Sequence, residues 1–105
     1  MKILAIETTE RQGSIALYES GSLLHHQILP ADDRSAATLA PEIKAVCARH
    51  NWTLSDIDRI AVTTGPGTFT GLRVGIVTAK TLGYALGRDV VGINTLDAIA
   101  LQANQ

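Results

Sequence analysis

The chain has 105 residues, a formal charge of -1 and a hydrophobic fraction of 46 %. That is one domain at most, with enough apolar residue to bury a core, which argues against disorder. The near-neutral charge gives no general pull toward nucleic acid, and the single cysteine, Cys47, rules out an internal disulfide and suits a reducing compartment.

The N-terminus, Met1-Lys2-Ile3-Leu4-Ala5-Ile6, looks at first like the start of a signal peptide. Glu7 ends the apolar run after four residues, short of the roughly 7–15 that a signal h-region needs. No run approaches the roughly 20 residues of a membrane span, so a cytoplasmic protein with no membrane contact is expected. Lys2 to Glu7 reads instead as a buried strand. Ser14 to Glu19 reads as a second strand, Ser20-Gly21 as a tight turn, and Ser22 to Leu29 as a third strand. Two short connections imply an antiparallel meander.

Asp32 and Asp33 have the character of helix-start residues. The apolar set Ala36, Leu39, Ala40, Ile43, Val46 and Cys47 then follows helical spacing, so a helix is expected from Arg34 to His50. Pro41 interrupts it and predicts a kink or a restart. Cys47 lies in this apolar stretch with no evident histidine partner, which makes it a packed core thiol rather than a nucleophile. Thr53 to Asp56 reads as a short turn or single helical turn, Asp58 to Thr63 as a fourth strand, and Thr70 to Leu86 as a second helix capped by Gly87. Val90 to Ile93 is a short fifth strand, and Leu96 to Ala103 begins a third helix. The element order β-β-β-α-β-α-β-α requires crossovers around the fourth and fifth strands. The expected fold is therefore α/β with a mixed five-stranded sheet, and its element order resembles that of the ribonuclease-H-like (actin-like ATPase) lobe.

Between the fourth strand and second helix lies Gly65-Pro66-Gly67-Thr68-Phe69-Thr70-Gly71-Leu72-Arg73-Val74-Gly75. It is not a Walker A loop, because no lysine follows Gly71. It is not a dinucleotide fingerprint either, because Thr70 stands where the third glycine belongs. Downstream, Gly71, Gly75, Ala79 and Gly83 recur every four residues and form one ridge on the helix. Glycine within a helix costs about 1 kcal/mol relative to alanine, so close packing is the expected compensation. The ridge can lie against the chain's own sheet or against another subunit, and both can hold because a helix has more than one face.

Three segments read together carry a specific resemblance: Met1 to Thr9, Gly65 to Gly75, and Val91-Gly92-Ile93-Asn94-Thr95-Leu96. Together they resemble the N-terminal lobe of the bacterial TsaB (YeaZ) family, over essentially all 105 residues. The resemblance implies a non-catalytic, dimerising subunit of the complex that installs threonylcarbamoyl on the adenosine beside the anticodon of certain tRNAs. It implies a TsaD-like catalytic subunit as partner, or alternatively a homodimer. A TsaE-like ATPase would be reached through the complex, tRNA only indirectly, and no cofactor is implied. Catalytic relatives carry a metal-binding H-x-x-x-H after the fifth strand; Thr95 and Ile99 stand at those positions here. His25, His26 and His50 include no i,i+4 pair, and His25 and His26 point to opposite faces of a strand. They read as solvated or edge histidines, and the metalloprotease label once given to relatives finds no ligands to support it.

The interface implied by the resemblance runs along the two helices, with Leu39, Ile43, Gly71, Val74, Gly75, Thr78, Ala79 and Leu82 as its candidates. The alternative is one lobe of an ATP-binding phosphotransferase or ATPase, in which Glu7 positions a metal-bound water and Thr8, Thr9 and Gly13 touch phosphate. That site is weak, since Glu10 adds negative charge where phosphate would approach and Gly13 comes late in the loop. Such sites also lie between two lobes, and the chain is expected to hold one, residues 1–105, with the second lobe absent. A third reading, direct tRNA contact through Arg11, Arg34, Arg49, Arg59 and Arg73, is disfavoured by the overall charge.

Overall fold

A computed structural model describes residues 1–8, 13–29, 36–65 and 69–94, with side chains at 36, 37, 69–72 and 94 excepted. The strands are β1 (Lys2–Glu7), β2 (Ser14–Glu19), β3 (Ser22–Ile28), β4 (Arg59–Gly65) and β5 (Asp89–Asn94). The helices are α1 (Ala36–Arg49) and α2 (Phe69–Leu86), with one 3-10 turn at Leu54–Asp56. The sheet order is β3-β2-β1-β4-β5. β1 to β3 form the expected antiparallel meander, while β4 pairs parallel with both β1 and β5. The expected helix starts at Asp32 and Asp33 and the third helix from Leu96 to Ala103 lie outside the described residues.

Alternation along the strands sends two sets of side chains to opposite faces. On one face Leu4 stands between Leu17 and Ile60, and Ile6 between Ile15 and Val62. These six meet Leu39, Ile43, Val46 and Cys47 from α1 and Ala79 from α2, and together they form the hydrophobic core. Burial of the Cys47 thiol, helped by the negative Asp56, pushes its pKa up to about 11. The folded chain should therefore resist a maleimide at pH 8 and react only after denaturation, as mass spectrometry would read.

Local chemistry explains the boundaries. Ser20 and Gly21 both have positive φ, 52° and 82°, the requirement of a two-residue hairpin whose twist matches its strands. α1 passes through Pro41 as one helix. The proline ring sits on the exposed face, and of the two expected outcomes, a kink or a restart, the restart does not occur. α1 ends on Asn51 at φ 61°, with the Trp52 amide donating to the Cys47 carbonyl at 2.9 Å and the Asn51 amide to Ala48 at 3.1 Å. α2 ends the same way, on Gly87 at φ 66°, with the Arg88 amide donating to Gly83 at 2.9 Å and the Gly87 amide to Tyr84 at 3.4 Å. Both are left-handed caps that satisfy the last carbonyls. Asp56 accepts from the Thr53 amide at 2.7 Å, a bond that lowers its carboxyl pKa. Arg88 donates through Nε to the Ile57 carbonyl at 2.9 Å, pinning the start of β5 to the loop before β4.

Candidate protein-interaction surface

The glycine ridge of α2 faces inward. A Cβ built on Gly75 would collide with the buried Thr8 side chain, and one on Gly83 with Val90 and, at 3.0 Å, the Arg88 carbonyl. The missing side chains let α2 lie directly on the ends of β1 and β5. At these positions the ridge serves the lobe's own sheet.

That placement sorts the eight interface candidates. Leu39, Ile43, Thr78 and Ala79 are buried inside the lobe. Val74 and Leu82 are half-buried and pack against the core, and Gly75 is spent on Thr8. Gly71 lies on α2, but its surroundings fall outside what is described. Within this lobe Leu39, Ile43, Val74, Gly75, Thr78, Ala79 and Leu82 lie on the inner face of the helices, since the helical spacing that marks an apolar contact stripe also marks a core stripe.

The outer face of α2 carries different residues. Arg73, Val77, Lys80, Thr81 and Tyr84 recur at three- and four-residue steps and all are exposed. Val77 is 49 % and Tyr84 92 % exposed, an apolar pair two turns apart flanked by cations. α1 packs beside α2 and exposes Ala40, Pro41, Lys44, Ala45 and Ala48. The spacing from Val77 to Tyr84 was readable in the sequence, but only as one of two stripes on a helix rich in apolar residues.

The opposite face of the sheet forms a groove of about 330 Å³. Ala16, Ala5 and Ala61 stand in register across β2, β1 and β4 as its floor. Glu7, Ser14 and Thr63 edge it at one end, and the Thr63 hydroxyl donates to Glu7 Oε1 at 3.2 Å. Of the nucleotide candidates, Glu7 lies at this rim and Thr8 is buried under α2. Gly13 packs against the Glu7 carbonyl, where a Cβ would approach to 2.9 Å. Thr9, like Glu10 and Arg11, lies outside the described residues. Among the described residues no three histidine, cysteine or acidic side chains gather to hold a metal ion. Of the arginines, Arg34 lies outside as well, Arg49 ends α1, Arg59 begins β4 and Arg73 sits in the first turns of α2 beyond the far end of β4.

Sheet order, mixed pairing and the two helices on one face define a ribonuclease-H-like lobe. Thermus thermophilus RuvC shares it at TM-score 0.62 and 13 % identity over 91 % of this chain and 66 % of that one, a likeness of fold alone. Residues 28–105 match the family described as TsaD, tRNA N6-adenosine threonylcarbamoyltransferase. A Pseudomonas aeruginosa protein described as similar to peptidase YeaZ superposes at TM-score 0.82 with 34 % identity, over 97 % of this chain and 47 % of that one. The Escherichia coli tRNA threonylcarbamoyladenosine biosynthesis protein TsaB is 34 % identical over 95 % of this chain and 43 % of its own length. A tRNA N6-adenosine threonylcarbamoyltransferase of Methylorubrum extorquens is 35 % identical over 96 % of this chain and 35 % of its own. The chain belongs to the TsaB/YeaZ family of tRNA threonylcarbamoyladenosine biosynthesis. It spans less than half the length of these curated relatives. No helix among the described residues is long and apolar enough to cross a membrane.

Proposed function

We propose that this lobe is a binding subunit without reacting groups, which docks the outer face of α2, together with the adjoining face of α1, on a TsaD-like transferase. The observation that carries the reading is the exposed Val77–Tyr84 pair, with Arg73 and Lys80 on the same face. Aromatic residues with a neighbouring apolar contact and a cationic rim have the composition of an interface centre. The inner faces of both helices are already occupied by the lobe's core, so a partner meets only the outer ones. The subunit's contribution is architectural: it stabilises the productive arrangement of its partner.

A reconstituted assay with tRNA, a threonylcarbamoyl donor and the TsaD-like protein of the same cell tests this reading. Product should form faster when the chain is added, and the chain alone should form none. Turnover by the chain alone would refute it.

A further inference from the structure

The core described above stops at β2. On the helix-facing side of the edge strand β3, the residues in register with Leu17 and Ile15 are His25 and Gln27, and they meet α1 through a polar chain. Gln27 Nε2 donates to Glu42 Oε2 at 2.7 Å. This sets the orientation of the amide and leaves Gln27 Oε1 as an acceptor for Arg49 at 3.3 Å and for His25 Nε2 at 3.4 Å. With its proton on Nε2, a neutral His25 presents a lone pair at Nδ1. His50 Nε2 stands 3.0 Å from that atom, with the rings edge to face at 5.0 Å and 71°. Glu42 thus sets the amide, the amide sets the His25 tautomer, and His25 sets which nitrogen of His50 donates.

We propose that His25 and His50 form a proton-counting clasp that closes β3 onto the C-terminal turn of α1. The hydrogen bond between the rings needs one donor and one acceptor. It survives with no added proton, and also with one, because a charged His50 still donates to a neutral His25. When both rings are charged, two N–H groups face each other at 3.0 Å and the bond cannot form. Among the described residues the charged groups facing the pair are Glu42 and Arg49 of α1, both through Gln27, and β2 presents the apolar Ile15 and Leu17. Histidine is the side chain whose charge ordinarily changes between pH 5 and 8. The unfolded chain holds no such bond, so only the folded state loses a contact when both rings are charged. Stability therefore falls as pH falls.

The test compares thermal midpoints of the full chain at pH 7.5 and 5.0 for wild type, His50→Gln and His26→Gln. His26 lies on the opposite face of β3, in register with Ala16, and serves as control. Wild type and His26→Gln should lose roughly 4–8 °C more than His50→Gln on acidification. Equal losses in all three would overturn the proposal. Nitrogen-15 correlation spectra of wild type at neutral pH supply an independent reading, with the His25 proton expected on Nε2. A proton on His25 Nδ1 would overturn the ordering of the chain even if His50→Gln failed to fold.

Discussion

Gly75→Leu should destabilise the lobe by about 3 kcal/mol or more, at the upper end of what overpacking costs. Gly75 lies where α2 crosses the end of β1, and a Cβ there runs into Thr8. Thr8 is β-branched and 1 % exposed, so it has few rotamers and little room to retreat. Relief requires α2 to lift from the sheet, which opens the contacts of Ala79 with the core. Even Gly75→Ala should fail to realise the roughly 1 kcal/mol that alanine ordinarily gains over glycine in a helix. Urea unfolding of the full chain reads both variants. Unchanged stability in Gly75→Leu would mean that α2 does not rest on β1 as described.

The second large effect belongs to the outer face. Val77→Asp combined with Tyr84→Asp should weaken association with the TsaD-like partner by 100-fold or more, since each centre residue of an interface is worth about 2 kcal/mol. The same changes should leave the lobe's own stability within about 0.5 kcal/mol, as expected of exposed positions. Calorimetric titration against the partner, paired with a urea curve, separates the two quantities. Affinity unchanged in the double variant would place the contact elsewhere. A loss of affinity matched by loss of folding would leave the face without specific support, and Lys80→Glu, a change of charge alone, would then decide: unaltered affinity would count against the face.

The contrast between these two predictions shows what the sequence could convey. An apolar run marked β1, and the spacing of Ile15 and Leu17 marked β2, because Leu4, Ile6, Ile15 and Leu17 each face a buried layer. The left-handed end of α2 was legible because Gly87 tolerates positive φ without strain. The matching cap at Asn51 was not read, since asparagine in that role is less common. Pro41 shows in the sequence that an amide is missing, but not whether the helix stops there, and α1 runs on through it. Leu39, Ile43 and Ala79 are legible as part of an apolar stripe, but periodicity does not name what lies against it. The glycine ridge admits two readings in the sequence, and Thr8 and Val90 beneath Gly75 and Gly83 assign those positions to the lobe's own sheet. His25 and His50, 25 residues apart, carried no local signal at all; only the register of β3 against β2 and the cap of α1 bring them together.

The central claim is that this lobe binds a TsaD-like transferase through its helices. The most direct measurement is the light-scattering mass of an equimolar mixture of the chain with the TsaD-like protein of the same cell, beside each protein alone. The account predicts one species with the summed mass of both. Two separate species, with this chain folded and monomeric, would contradict it.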